Sequence, residues 1–110
     1  MTGTEVRLQY LSNSGFSLRT EENKHVIIDP YLTGNPTAPF GPEKIPPVDL
    51  IIVSHAAFDH LGDSFYLAKR DKATLFCDIV SRQLAYAAGL AKEQVKSGGY
   101  GASPKMKEIG

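Results

Sequence analysis

Residues 48–63 have the sequence VDLIIVSHAAFDHLGD, and this stretch decides how the chain folds. Its first six residues are almost all aliphatic, which is typical of a strand buried on both faces of a sheet. Two histidines and two aspartates follow within residues 55–63. This polar cluster is therefore predicted on a loop at the carboxyl end of a strand, where a rigid sheet can aim side chains. Imidazole and carboxylate groups are ligands of zinc, manganese and iron, so the cluster predicts a metal site.

The residues before this strand predict an antiparallel meander of three strands. Residues 6–11 and 16–20 alternate between apolar and polar side chains, which is the period of a strand with one solvated face. Between them, residues 12–15 form a turn, in which Gly15 permits a positive φ. Residues 25–28 are predicted as the third strand, which ends at the Asp-Pro pair of residues 29 and 30.

A proline-rich loop is predicted over residues 31–47. It contains five prolines, and proline removes a backbone donor and fixes φ, so neither a helix nor a central strand is expected there. Long loops in compact domains are usually functional or disordered. We expect this loop to form a rim beside the metal site.

Strands and helices alternate after the polar cluster. A helix capped by Asp63 is predicted to end near Arg70, a strand covers residues 73–77, and Asp78 caps a second helix that stops at Gly89. This order predicts an α/β fold in which a parallel part of the sheet is covered by helices. Residues 97–110 are expected to form a loop-like tail. The apolar sides are predicted at Leu61, Phe65 and Ala68 in the first helix, and at Val80, Leu84, Ala87 and Ala88 in the second.

Composition narrows the class of protein. The 110 residues are enough for one domain, so residues 1–110 are taken as a single unit. Twelve basic and twelve acidic side chains cancel without forming a basic stripe, which argues against a nucleic-acid partner. No apolar run approaches the ~20 residues of a membrane span. The single cysteine, Cys77, has no partner for an internal disulfide, which favours the cytoplasm, and it is expected to be a buried hydrophobe.

The spacing alone leaves two interpretations of the polar cluster open. In the first, side chains on a turn that leaves a strand converge on a divalent ion, which generates hydroxide from water. In the second, Asp59 and Asp63 cap a helix and the histidines are polar loop residues.

Three separated motifs favour the first interpretation. Residues 27–30 (IIDP), residues 31–36 (YLTGNP) and residues 49–63 occur in an order that resembles the metallo-β-lactamase superfamily. The closest resemblance is to the small metal-dependent hydrolases related to ascorbate-6-phosphate lactonases. It implies one half of an αββα sandwich, with a mixed sheet and helices on one face. It also implies that a metal-bound hydroxide attacks an ester, a lactone or a phosphoester of a small molecule.

The signature of that family, His-x-His-x-Asp-His, assigns the site residues. It implies His55, Asp59 and His60 as metal ligands, and Asp59 also as the catalytic group that orients the attacking water. The middle histidine of the signature falls on Ala57, which has no donor atom. We therefore expect one metal position, holding Zn, Mn or Fe, rather than two.

Other polar residues have two open interpretations each. Asp29 either supports the site by accepting a bond from a ligating imidazole or only forms a turn before Pro30. Asp63 either touches the site or caps its helix. Ser54 is expected to be a small strand-end residue without a nucleophilic role, and His25 is expected on the surface of a strand.

The resemblance also predicts that this chain needs a partner. Family members are longer, and their later half supplies further ligands and a second sheet. Half of the sandwich would leave one apolar sheet face uncovered, and such a face is an interaction surface or an aggregation hazard. We expect either a homodimer or a complementary carboxy-terminal half. The alternative is a non-catalytic subunit or degenerate paralogue that keeps the fold without the chemistry.

Overall fold

A computed structural model describes residues 5–98 of the protein as a six-stranded mixed sheet with helices. The strands are arranged in chain order across the sheet. Two single-turn 3-10 helices, at Pro42–Lys44 and Lys92–Gln94, complete the structure. The main elements are β1 (Arg7–Ser12), β2 (Gly15–Arg19), β3 (His25–Ile28), β4 (Leu50–Ile52), α1 (Phe58–Leu61), α2 (Ser64–Asp71), β5 (Thr74–Cys77), α3 (Ile79–Ala87) and β6 (Val95–Ser97).

The predicted meander is confirmed. β1 pairs with β2 and β2 with β3, both antiparallel. Ser12, the last residue of β1, and Asn13 turn the chain with positive φ values of 89° and 54°. Gly15, which was predicted to supply the positive φ, begins β2 in an extended conformation instead. Positive φ is tolerated better by asparagine than by most other residues, which explains its place in this turn.

The parallel part of the sheet is also confirmed, and it is longer than predicted. β3, β4, β5 and β6 are parallel neighbours. The expectation that residues 97–110 form a loop is wrong at Ser97, which ends β6 and pairs with Cys77. The rest of the predicted tail, apart from Gly98, lies outside the described residues. β6 has three residues, and only Val95 is apolar, so no strand period is visible in its sequence.

The helices cover one face of the sheet. Ile27, Ile51 and Leu75 lie side by side on β3, β4 and β5 and therefore point to the same face of the sheet. They share one buried cluster with Leu67 of α2 and Ala85 of α3. Phe65 packs against this cluster and Ala68 lies in it, as predicted for the first helix. Leu61 also packs against it, but it belongs to α1, a separate helix that the sequence did not predict. None of the helices within residues 5–98 has the length and hydropathy that a bilayer crossing requires.

The apolar side predicted for α3 is wrong apart from Ala88, which packs against the core. Asp78 does cap this helix, and Gly89 does end it with a φ of 95°. However, α3 buries Ser81 and Ala85, whereas Val80 and Leu84 are 54% and 43% exposed. The prediction followed the larger apolar side chains, whereas the buried positions of α3 hold the small residues Ser81 and Ala85.

The second face of the sheet is open along β1. Leu8 and Tyr10 are 65% and 60% exposed, and by strand alternation they point away from the helices. Towards the centre of the same face, Val26 and Leu50 are buried. On this face, the exposed apolar side chains of the strands within residues 5–98 are those of the edge strand β1 rather than those at the centre of the sheet.

The proline-rich loop contains short helical structure that the sequence interpretation excluded. Pro42 begins a single 3-10 turn, where a missing backbone donor costs nothing because that position needs no partner. Leu32 and Ile45 anchor the loop in the core. Elsewhere the loop is irregular, as predicted.

The surface position predicted for His25 is wrong, because His25 is 1% exposed. Its Nε2 lies 2.6 Å from Ser17 Oγ, and its Nδ1 lies 3.0 Å from the Pro47 carbonyl oxygen. A carbonyl oxygen only accepts, so Nδ1 carries the proton and Nε2 accepts from the serine hydroxyl. Burial lowers the pKa of His25, which keeps the ring neutral near pH 7.

Candidate metal centre

Two imidazoles meet just beyond the carboxyl end of β4. The rings of His55 and His60 lie 4.1 Å apart between centroids, at an interplanar angle of 41°. His55 is on the loop that leaves the strand, and His60 is on α1, which starts three residues later at Phe58. The structure thus brings together two of the residues that the sequence predicts as ligands.

Asp29 orients both imidazoles, His60 by direct contact and His55 through Ser54. It follows β3, and its backbone N–H donates to the Ile52 carbonyl oxygen at 2.9 Å, which ties it to β4. It is only 3% exposed and has a φ of 45°, a left-handed conformation that Asp adopts more readily than most residues. Its carboxylate accepts from the Ser54 backbone N–H at 2.8 Å and from Ser54 Oγ at 2.7 Å, and lies 2.8 Å from His60 Nδ1.

These contacts determine the tautomer of His60. A buried carboxylate accepts hydrogen bonds, so the Nδ1 atom that faces Asp29 carries a proton. The lone pair of the neutral ring is then on Nε2. Ligating histidines are typically oriented in this way, by a carboxylate on the nitrogen that does not bind the metal.

Ser54 extends the same arrangement to His55. A serine hydroxyl has one proton, and that proton goes to Asp29. His55 Nδ1 lies 2.9 Å from the same Ser54 oxygen, so His55 must donate and its Nε2 is also left with a lone pair. The sequence interpretation missed this role of Ser54, and its position directly before His55 was the only available signal.

Asp59, the third predicted ligand, places its carboxylate near the His60 ring. Its Oδ1 lies 3.8 Å from His60 Nε2, and its side chain is partly exposed. Asn13, in the turn between β1 and β2, donates to the Asp59 backbone carbonyl oxygen at 3.0 Å and approaches Oδ2 at 3.5 Å. Asn13 was not predicted as a site residue, because it is 46 positions away from Asp59 in the sequence.

The donors have the right chemistry for a divalent ion, but they are too few. Two neutral imidazoles and one carboxylate suit zinc, manganese or iron. Within residues 5–98, no group of three His, Cys, Asp or Glu side chains has the arrangement of a metal site. Ala57 begins α1 by accepting hydrogen bonds from the backbone N–H groups of His60 and Leu61 and adds no side-chain donor. The fit to a metal is therefore partial.

The sequence comparisons decide the family. A sequence model of the metallo-beta-lactamase superfamily matches residues 12–102. The chain belongs to this superfamily. The UPF0173 metal-dependent hydrolase of Archaeoglobus fulgidus is 43% identical over 72 residues, covering 66% of this chain and 30% of that protein. A UPF0173 metal-dependent hydrolase of Symbiobacterium thermophilum is 34% identical over 94 residues, covering 86% and 41%.

A solved structure supports the fold. The metallo hydrolase Igni18 from Ignicoccus hospitalis has a TM-score of 0.79 and 26% identity, over 94% of this chain and 44% of that one. The chain therefore spans less than half the length of these metallo-beta-lactamase relatives.

In this member of the superfamily, Asp63 does not cap its helix with its side chain, which corrects one of the two sequence interpretations. Its carboxylate instead accepts from the backbone N–H groups of Leu32 and Thr33, both at 2.9 Å, and from the Thr33 hydroxyl at 2.6 Å. Asp63 thus holds the proline-rich loop beside α1. Tyr31 of this loop packs edge-on against Phe58, 5.7 Å between ring centroids, which is the position expected of a rim.

A cavity of about 620 Å³ adjoins the imidazole pair. It extends from His55 along the carboxyl ends of β4, β5 and β6, and its walls include Ile52, Phe76 and Ile79. Cys77 also lines it, but burial raises the pKa of this thiol to about 11, so it stays protonated and unreactive. This agrees with the prediction that Cys77 is a buried small hydrophobe.

Proposed function

We propose that this chain forms the amino-terminal part of a metal-dependent hydrolase. His55, Asp59 and His60 would bind one divalent ion, zinc, manganese or iron, together with donors from outside residues 5–98. The relatives are named metal-dependent hydrolases, and the chain covers less than half of each. The lone cysteine favours a cytoplasmic setting.

The observation that carries this proposal is the contact of Asp29 with both Ser54 and His60. A buried carboxylate needs donors for stability in any case. Here the donors also leave two imidazoles with Nε2 unprotonated. Such preorganisation is what a ligand set requires, because each imidazole must present a lone pair.

The substrate class follows from the metal and the cavity. A bound divalent ion supplies Lewis acidity and lowers the pKa of water, which suits hydrolysis of esters, lactones or phosphoesters. Asp59, partly exposed beside His60, would also orient the attacking water. The apolar walls of Ile52 and Phe76 would bind the organic part of a small-molecule substrate.

Metal stoichiometry tests the proposal. The 110-residue chain is reconstituted with Zn²⁺, Mn²⁺ or Fe²⁺, desalted, and analysed by inductively coupled plasma mass spectrometry. We expect up to one ion per chain, and a clear loss in His55→Ala and His60→Ala. His25→Gln is the matched control, because it removes the third histidine, which is buried at the other end of β3. Equal loss in all three variants would show non-specific binding and would refute the proposed site.

The substitution at Ala57 favours a second candidate function, a non-catalytic subunit or degenerate paralogue. This version predicts that Ala57→His raises metal uptake without producing turnover of esters, lactones or phosphoesters. If Ala57→His became an efficient hydrolase by itself, the non-catalytic interpretation would fail.

Either version calls for a partner, and the exposed apolar side chains of β1 support one. Leu8 and Tyr10 are the side chains a second sheet would cover, supplied by a homodimer or by a complementary carboxy-terminal half. Sedimentation of the chain at several concentrations tests the homodimer. A dimer should dissociate in Leu8→Lys, whereas a monomer at all concentrations leaves the complementary half as the partner.

A further inference from the structure

A second cavity, of about 460 Å³, lies at the opposite end of β3 from the candidate metal centre. Asp29 follows the last residue of β3, whereas His25, the first residue of β3, lines this cavity. The cavity also takes side chains from β1, β2 and the proline-rich loop. It is therefore a separate site on the same sheet.

Two arginines lie side by side in the lining of this cavity. Arg7 and Arg19 are direct cross-strand partners of β1 and β2, so they project from the same face of the sheet. Like charges at directly opposite positions repel and destabilise a strand pair. An anion bound between the two guanidiniums would remove this repulsion.

Neither arginine has a carboxylate partner in the described part of the chain. Among residues 5–98, the guanidinium that forms an ion pair with a carboxylate is that of Arg70, which binds Asp71 on α2. Arg19 makes one long hydrogen bond, 3.4 Å, to the Asn23 carbonyl oxygen. Most of the ten N–H donors of the two guanidiniums are thus available to a ligand.

The rest of the cavity is uncharged. His25 is neutral, since burial lowers its pKa, and both of its ring nitrogens are bonded to protein. Phe40, Ile45 and Pro46 add an apolar wall from the proline-rich loop. The cavity therefore combines a doubly positive end with an apolar side.

We propose that this cavity binds a small phosphomonoester, with Arg7 and Arg19 holding the phosphate and the loop residues contacting the organic group. A phosphate near pH 7 carries about two negative charges and three acceptor oxygens, which match two guanidiniums. A carboxylate would neutralise only one of them. This site is independent of the metal centre, and either proposal can fail without the other.

Titration of the 110-residue chain with phenyl phosphate at low ionic strength, by calorimetry and by NMR, tests the proposal. We expect saturable binding that shifts the Nε–H signals of Arg7 and Arg19 and leaves that of Arg70 unchanged. Arg7→Gln and Arg19→Gln should each weaken binding about tenfold, the value of one charge-assisted hydrogen bond. Lys92→Gln, which removes an exposed charge elsewhere, should have no effect.

Three results would overturn the proposal. They are the absence of saturable binding, an equal loss of affinity in Lys92→Gln, and benzoate binding as tightly as phenyl phosphate. Folding of each variant is checked by its urea midpoint. Removal of one of two facing like charges should leave that midpoint unchanged or raise it, so a loss of affinity is not explained by unfolding.

Discussion

Replacement of Asp29 by asparagine should disable the candidate metal centre while keeping its shape. Asparagine is isosteric and tolerates the positive φ of 45° found at this position. Its carbonyl oxygen can still accept from the Ser54 backbone N–H. Its amide nitrogen, however, replaces the oxygen that faces Ser54 Oγ and His60 Nδ1, so a donor now points at donors.

The expected cost follows from these contacts. The His60 ring can relieve the conflict by moving its proton to Nε2, which removes the lone pair that a metal needs. Hydrogen bonds to charged groups contribute about 1.5–3 kcal/mol, and tautomer exchange recovers part of this. We expect a loss of about 2 kcal/mol in the free energy of unfolding. Metal affinity should fall roughly 10–100-fold, as for other groups that orient a ligating histidine.

Two assays separate these effects. Urea denaturation without metal measures stability, and competition with a chromogenic chelator measures affinity for Zn²⁺. Asp71→Asn is the matched control, because Asp71 is also a largely shielded carboxylate that binds a cation, Arg70, and a backbone N–H, that of Val48. It should lose comparable stability with no change in metal affinity.

The reasoning would be refuted by Asp29→Asn protein that binds Zn²⁺ as tightly as the unmodified chain. It would equally be refuted if Asp71→Asn lost the same affinity, because the effect would then come from general destabilisation. Loss of stability without loss of affinity would assign Asp29 to folding alone.

Three further predictions concern stability. Burial lowers the pKa of His25 from its usual value of 6.5, so the unfolded chain takes up this proton first as the pH falls. Neutral His25 therefore contributes fully to the free energy of unfolding above pH 6.5, and this contribution is lost as the pH falls towards the folded-state pKa. Over that pH range, the urea midpoint of His25→Gln should fall less than that of the unmodified chain. Gly62→Ala should cost about 2–3 kcal/mol, because φ is 47° and the new Cβ would collide with the Pro30 carbonyl oxygen. Gly34→Ala, with φ of 78° but no atom within 4 Å, should cost clearly less, and equal costs would contradict the steric argument. Asp78→Ala should lose about 1 kcal/mol, since its carboxylate caps α3, and an unchanged unfolding midpoint would argue against that cap.

Most of the strands and the two longer helices could be predicted from a period or an unbroken apolar run. Alternation over residues 6–20 identified the first hairpin, and the apolar run before Ser54 identified the central strand. β6 could not be predicted, since a three-residue strand with one apolar side chain has no period to detect. Its pairing with β5 is a tertiary effect.

Burial of individual residues was less predictable. His25 is buried because Ser17 and Pro47, which are distant in sequence, satisfy both of its ring nitrogens. α3 turns Ser81 and Ala85 inward, and Ala85 joins the core cluster formed with the strands. In both cases, packing partners outside the local sequence override hydrophobicity.

The candidate site was predicted in part. The spacing of His55, Asp59 and His60 identified the loop, and the structure brings the two imidazoles together. The support from Asp29 was one of two open interpretations, whereas the role of Ser54 depends on the direction of a single hydroxyl proton. The binding of a metal by these residues stays a prediction.

The central claim is that Asp29 and Ser54 leave Nε2 of His55 and His60 free for a cation. The most direct measurement is NMR of ¹⁵N-histidine-labelled protein, which identifies the protonated nitrogen of each ring, before and after addition of Zn²⁺. We expect the Nδ1–H tautomer in both rings, and Zn²⁺ should shift both Nε2 signals and leave His25 unchanged. Protonated Nε2 atoms in the metal-free protein, or a Zn²⁺ response confined to His25, would contradict the account.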